Sequence, residues 1–229
     1  MPLFDMSTTP AWAAIFDWDG VILDSSRQHE ESWNLLAREN GLPLPPDFFR
    51  RSFGMKNERI IPELLGWTRD PERVRALGDR KEALYRELIR RDGVQPLPGV
   101  REWLSMLRAA GIPCAVGSST PRENIDCVMD TLGLRDFFRV IVAGQDVTHG
   151  KPHPEVFLRA AERLGVAPAR CVVFEDAHVG LEAARAAGMK VVGVATTHPP
   201  ESLRQADRVV RRLDELSVAE IAAWFERGA

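Results

Sequence analysis

Cysteine is scarce in this 229-residue chain: Cys114, Cys127 and Cys171 stand far apart, each in an apolar context, with no CxxC pair. An odd number without paired spacing indicates neither a disulfide framework nor a thiolate zinc site. Reduced core thiols in a cytoplasmic protein are the expectation. An excess of one charge is missing too. The 30 Lys and Arg and 33 Asp and Glu give a formal net charge of −3 and are well mixed along the chain. That leaves no basic stripe for nucleic acid and no polybasic anchor for a membrane surface. Apolar runs are no longer than a strand, so none approaches the ~20 residues that a spanning helix requires. Met1–Ala11 lacks the basic start and apolar stretch of a signal peptide. Internal repeats and low-complexity segments are absent as well.

What remains is an ordinary globular composition, 45% hydrophobic and 28% charged. The chain is long enough for one large domain or a core plus a smaller module. Its most distinctive stretch is Ala13–Asp24, AAIFDWDGVILD. Ala13–Phe16 reads as a strand buried on both faces. From Ser25 to Gly93 the pattern is helical. Ser25 or Ser26 caps a helix that Gly41 stops, short helices cover Pro46–Ser52 and Glu58–Leu65, and Asp70-Pro71 opens a long helix that Gly93 ends.

From Pro96 onward strands and helices alternate. Strands are expected at Pro113–Gly117, Val140–Ala143, Cys171–Phe174 and Val191–Ala195, with an edge strand at Arg208–Val210. Helices fall at Val100–Ala110, Arg122–Leu132, Glu155–Leu164, Val179–Ala187, Pro200–Gln205 and Ser217–Arg227, the last opened by a Ser217–Glu220 capping box. This alternation predicts an α/β fold, a Rossmann-like parallel sheet with helices on both faces. Residues 1–24 and 95–229 then form the core. Residues 25–94 form an inserted α-helical cap, with hinges near Asp24–Ser25 and Val94–Pro98.

Four strands lead into residues that apolar packing does not need: Asp17-Trp18-Asp19-Gly20, Gly117-Ser118-Ser119-Thr120, Gly150-Lys151-Pro152-His153-Pro154 and Phe174-Glu175-Asp176-Ala177. Parallel strands bring these ends to one edge of the sheet, where open α/β proteins bind ligands. Carboxylates, hydroxyls and a lysine around one crevice suit phosphoryl transfer. A carboxylate attacks phosphorus only when the phosphoryl charge is neutralised. Mg2+ prefers oxygen ligands, and Lys151 offers a point charge to phosphate oxygens. Ser118 and Ser119, near the start of the helix entered by Pro121, offer an anion site. Trp18 points away by strand alternation and is read as packing. His153, between two prolines, is read as a turn residue.

These motifs make the chain similar to the haloacid dehalogenase superfamily of hydrolases, in the β-phosphoglucomutase- and phosphatase-like branch with an α-helical cap. The family pattern DxDG(V/T) matches Asp17-Trp18-Asp19-Gly20-Val21. The Ser/Thr motif matches Ser118, the lysine motif Gly150-Lys151-Pro152, and the acidic motif Glu175-Asp176. The resemblance implies that Asp17 is the nucleophile that becomes an aspartyl-phosphate. It makes Asp19 the acid for the leaving oxygen and then the base for water; in the first task Asp19 must hold a proton near neutral pH. Mg2+ would be held by the side chains of Asp17 and Asp176 and the backbone carbonyl of Asp19, with Glu175 as a further ligand or a ligand-orienting group. Ser118 and Lys151, with Ser119, would hold the phosphoryl group.

In the cap, His29 and Trp33 share a helix face. Related phosphoglucomutases and sugar phosphatases carry a His and a Trp at these offsets, which implies a gating role for His29. The loop Ser52–Glu58 resembles the family's substrate-reading loop and makes Lys56 and Asn57 candidate substrate-binding residues, although β-phosphoglucomutases have an arginine where Asn57 falls. Dehalogenases and phosphonoacetaldehyde hydrolases lack the second aspartate, so Asp19 argues for oxygen-ester chemistry. The stretches GMKNE (54–58), RDP (69–71) and VVRRLDELS (209–217) resemble plant plastid members linked to dephosphorylation of a pyrimidine phosphate. The implied activity is Mg2+-dependent hydrolysis of a small phosphate monoester, a sugar phosphate or a pyrimidine-type phosphate. An intramolecular phosphomutase is the alternative, and a non-catalytic binding protein on the same fold is the third reading. The expected partner is a small phosphorylated metabolite, with no nucleic acid, no membrane and a monomeric state.

Overall fold

Ala13–Phe16 forms strand β1, and all four of its residues are buried. Such a strand needs neighbours on both edges and layers on both faces, and the rest of the chain supplies them. The structure, a computed structural model, describes residues 11–52 and 55–226. Of the sequence readings, the leader up to Pro10, Phe53 and Gly54 of the Ser52–Glu58 loop, and Arg227 lie outside the described residues.

Five further strands complete one parallel sheet: β2 (Cys114–Gly117), β3 (Val140–Val142), β4 (Cys171–Glu175), β5 (Lys190–Val194) and β6 (Arg208–Val210). Their order is 3-2-1-4-5-6. Phe16 is level with Val116 on one side and Phe174 on the other. Arg208–Val210 occupies the edge that its short, charged sequence predicts. The helices of this part are α5 (Val100–Ala109), α6 (Arg122–Leu132), α7 (Glu155–Leu164), α8 (His178–Ala186) and α9 (Val218–Glu226), numbered after the four helices described below. One face of the sheet packs Ile15, Ala115, Val173 and Val191 against Phe157, Ala160, Leu181 and Ala184 of α7 and α8 in a continuous buried cluster.

The chain divides into two compact units: one runs up to Asp24 and resumes at Gln95, and the other is Ser25–Val94. The second unit is helical, with α1 (Ser26–Asn40), α2 (Phe48–Ser52), α3 (Asn57–Arg59) and α4 (Pro71–Asp92). Gly41 ends α1 in the left-handed region at φ 62°, where glycine carries no Cβ penalty. Asp70 accepts the Arg73 N–H at 3.3 Å and Pro71 occupies the first helical position. Trp33, Leu36, Phe48, Ile60, Ile61, Leu77 and Leu84 form this unit's core.

The structure corrects four local expectations. The helix expected over Glu58–Leu65 becomes α3 followed by a wider π turn, Ile60–Leu64, because Pro62 has no N–H for the regular ladder and Leu65 N–H bonds Ile60 O instead. Ser25 precedes α1 without a side-chain cap; its ψ of 5° departs from the extended geometry that turns a hydroxyl onto the first turn. Pro200–Gln205 is only a turn, Pro200–Ser202, since the chain must bring Asp207 back to accept the Val191 N–H at 2.8 Å. The Ser217–Glu220 box is half formed: Ser217 accepts the Glu220 N–H at 3.1 Å, while the Glu220 carboxylate pairs with Arg208 at 3.4 Å.

Candidate active site

The strand order turns at β1: β2 and β3 lie on one side and β4 to β6 on the other. Ligands of open α/β sheets bind beyond the strand ends at such a switch point. Asp17 is the first residue past β1, and its N–H bonds Phe174 O at 2.9 Å. That bond sets it beside Glu175, the last residue of β4. Ser118 follows β2 and bonds Val142 O through its N–H at 3.0 Å.

Lys151 comes from the loop before α7. Its Nζ donates to Asp17 Oδ1 at 2.7 Å and to Glu175 Oε2 at 2.7 Å. The side chain is only 8% exposed and runs over the Phe157 ring. Burial works against its charge, but the two carboxylates outweigh burial and raise its pKa above the ordinary lysine range. The Lys151–Pro152 peptide is cis.

Glu175 is the most constrained acid. Its Oε1 accepts the N–H groups of Asp176 (3.2 Å) and Ala177 (3.1 Å), and Oε2 accepts Lys151. Asp176 Oδ2 accepts the Thr197 hydroxyl at 2.5 Å. Burial, followed by the negative charge of Asp17, pushes both Glu175 and Asp176 above the usual carboxylate range. Two glycines make room for these side chains. A Cβ on Gly20 would overlap the Asp176 carboxylate, and Gly20 also sits at φ 80°; a Cβ on Gly180 would overlap the Glu175 carboxylate.

Asp17, Glu175 and Asp176 are all buried, and each offers an oxygen within 4.8 Å of the others. Three carboxylates here face one lysine, so ionising all three leaves unbalanced negative charge. A hard divalent cation with oxygen ligands removes that imbalance, and the donor set fits one. The Asp19 carboxylate has another partner: Thr120 Oγ1 donates to Asp19 Oδ2 at 2.5 Å. Thr120 is in turn tied to Ser118, whose Oγ accepts the Thr120 N–H at 3.2 Å. Ser118 is buried and Ser119 exposed.

The first unit thus gathers Asp17, Asp19, Ser118, Lys151, Glu175 and Asp176. Ser119 also belongs to that unit, and the other three candidates, His29, Lys56 and Asn57, belong to the helical unit. There Lys81 of α4, 4% exposed at its side chain, donates to Glu82 Oε1 at 3.0 Å and lies 2.7 Å from His29 Nδ1. Asn57 donates to the same Glu82 oxygen at 2.7 Å, and the His29 ring stacks on Tyr85. Burial and then the Lys81 charge lower the His29 pKa to about 3. Burial opposes ionisation of Glu82, yet Lys81, His29 and Asn57 together hold its pKa at about 2. Lys56 is exposed at the start of α3. Trp18 is fully buried with its ring against Phe138, as packing requires.

Sequence reasoning missed Thr120, Thr197, Lys81 and Glu82. Thr120 stood inside the hydroxyl-rich Ser118-Ser119-Thr120 run. Lys81 carried no local signal for its contact with His29, which lies 52 residues away.

A switch-point crevice lined by acids and one lysine, at the strand ends of a parallel sheet whose chain carries a helical insertion after β1, defines a Rossmann-like α/β protein with a buried oxygen-donor site. Residues 13–188 match the haloacid dehalogenase-like hydrolase family, and the chain belongs to it. It is 44% identical over 211 residues to the chloroplastic 5-amino-6-(5-phospho-D-ribitylamino)uracil phosphatase of Arabidopsis thaliana; the match takes in 91% of this chain but only 56% of that relative's length. It is 36% identical over 183 residues to a fructose-1-phosphate phosphatase of Escherichia coli, covering 79% and 94% of the two chains. Among solved structures, β-phosphoglucomutase from Clostridium difficile superposes with a TM-score of 0.79 at 29% identity, covering 94% of this chain and 97% of that one.

Proposed function

We propose that the protein is a Mg2+-dependent phosphatase that hydrolyses a small phosphate monoester through an aspartyl-phosphate on Asp17. One observation carries the reading: Asp17 shares Lys151 with Glu175 in a buried acidic cluster, while Asp19, two residues on, is held separately by Thr120. A carboxylate kept ready by a cation and a second one beside it are the two groups that ester cleavage needs.

An Asp17 carboxylate oxygen attacks phosphorus as the ester oxygen leaves, and Asp19 gives that oxygen its proton, so the alcohol departs neutral. Asp19, now ionised, takes a proton from a water molecule as that water attacks the phosphorus of the aspartyl-phosphate. Inorganic phosphate leaves and the Asp17 carboxylate is restored. Mg2+, held by Asp17, Asp176 and the Asp19 carbonyl, would neutralise charge on the phosphoryl oxygens. Lys151 and Ser118 bind those oxygens, and Glu175 orients Lys151, with three of its lone-pair positions already committed.

Residues 25–94 act as the cap that selects the leaving group, with His29, Lys56 and Asn57 as its reading residues. Relatives named for a ribitylaminouracil phosphate and for fructose 1-phosphate support a polyhydroxylated phosphate monoester as substrate. Three buried free thiols support a reducing compartment, the cytoplasm. No helix among the described residues is long and apolar enough to cross a membrane. Phosphate release from a panel of sugar and ribityl phosphates, with Mg2+ and with EDTA, tests the reading. Free phosphate that disappears in EDTA and in Asp17→Asn supports it. An isomerised sugar phosphate without free phosphate assigns a phosphomutase instead, and full activity in Asp17→Asn overturns the nucleophile.

A further inference from the structure

The loop that delivers Lys151 carries a second group of metal-binding side chains on its outer side. His149 and His153 flank Lys151 in sequence, and Glu155 opens α7. One ligand atom from each of the three lies within 4.8 Å of the others. We propose that His149, His153 and Glu155 form a site for a borderline-soft divalent cation, Zn2+ in chemical class, distinct from the Asp17–Glu175–Asp176 cluster.

The geometry is close to a bound state. His149 Nδ1 and Glu155 Oε2 stand 3.2 Å apart; two ligands about 2.0 Å from a tetrahedral ion are separated by roughly 3.3 Å. The His149 and His153 rings have centroids 4.7 Å apart and a tilt of 37°, so the His153 nitrogen closes the remaining gap by a side-chain rotation. Both histidines are exposed, His149 at 64% of its side chain. His153 Nδ1 accepts a long 3.3 Å bond from the Glu155 N–H.

Glu155 is the fixed member. Its Oε1 accepts the Thr148 N–H at 3.1 Å and Arg159 at 2.7 Å, and its Oε2 accepts the His149 N–H at 2.9 Å. Those backbone bonds hold the carboxyl well below its usual range, at about 2. Oε2 also meets His149 Nδ1 at 3.2 Å, and a cation seated between the two would replace that hydrogen bond. A water completes four-coordination, as in open zinc sites with three protein ligands.

The donor chemistry separates the two sites. Imidazole nitrogens favour Zn2+, Ni2+ and Cu2+ over Mg2+, whereas an all-carboxylate cluster suits the hard ion. An ion at His149 and His153 spans the stretch of loop from which Lys151 reaches inward.

Isothermal titration of the full-length protein with Zn2+, in saturating Mg2+, tests the assignment. The wild type takes up one Zn2+ equivalent under these conditions, and His149→Ala/His153→Ala loses it. Asp17→Asn, which cripples the acidic cluster, retains it. Glu155→Gln keeps an acceptor oxygen for one of the two backbone N–H groups but removes the carboxylate charge, and it weakens Zn2+ at least tenfold. No Zn2+ uptake by the wild type, uptake of equal strength by the double variant, or its loss in Asp17→Asn each overturns the proposal.

Discussion

One added methyl group tests the acidic cluster. Gly180 lies in the first turn of α8, and a Cβ there overlaps the carboxylate carbon and Cγ of Glu175. Gly180→Ala has no backbone reason to harm the protein; in a helix interior alanine is favoured over glycine by about 1 kcal/mol. The cost falls on Glu175, which must abandon its place and with it the bonds from Asp176 N–H, Ala177 N–H and Lys151. A hydrogen bond to a charged group contributes about 1.5–3 kcal/mol, so losing two of the three costs about 3–6 kcal/mol. Set against the helix gain, the net destabilisation is about 2–5 kcal/mol. Turnover falls more than the folded fraction does, because Lys151 loses Glu175, the carboxylate that holds it beside Asp17. Urea unfolding followed by circular dichroism gives the first quantity, and phosphate release at saturating Mg2+ gives the second. A Gly180→Ala protein at least as stable as the wild type, with unchanged turnover, refutes the placement of Glu175.

The helical unit makes the protein acid-sensitive. His29 has a folded pKa of about 3 against an ordinary 6.5, and Glu82 about 2 against 4.5. In both cases the unfolded chain binds the proton at the higher pH, so stability is fully present above pH 6.5 and falls as acid is added. One proton between pH 6.5 and 5 corresponds to a loss of up to about 2 kcal/mol. Chemical denaturation at pH 7 and pH 5 measures it, and a curve as steep in His29→Gln as in the wild type contradicts the assignment. Thr120→Val removes the hydroxyl that holds Asp19 and lowers kcat about tenfold, or about 1.4 kcal/mol in the barrier. Its thermal midpoint stays near the wild-type value and Thr120→Ser restores the rate; an unchanged kcat in Thr120→Val refutes the role.

Sequence pattern made the sheet and the acidic crevice readable because both are local. Ala13–Phe16 has the length and apolarity of a doubly buried strand, and Asp17, Ser118 and Glu175 stand at strand ends that parallel pairing brings together. The departures came where distant residues decide the outcome. Ser217 and Glu220 have capping-box spacing, but Arg208 from β6 takes the Glu220 carboxylate. Pro200–Gln205 has helical composition, yet the Asp207 bond to Val191 requires a turn before it. Lys81 looks like one more surface charge on α4. Only the pairing of α1 with α4 reveals that His29, Glu82 and Trp33 surround it.

The position of β1 in the sheet has a consequence for synthesis. Lys151, the cation that joins Asp17 to Glu175, follows Asp17 by 134 residues; at ~5–20 residues per second a ribosome needs roughly 7 to 27 s to cover that distance. The partners of β1 are β2 and β4, both beyond the helical insertion, so AAIF has two bare edges until β2 is made and one bare edge until β4 follows. An apolar segment with unpaired N–H and C=O groups is a template for pairing with another chain. The insertion has its own partners within a contiguous stretch of chain. Nascent chains stalled before Cys114 therefore hold a central strand with neither neighbour made, and those stalled before Cys171 still leave one edge of β1 bare.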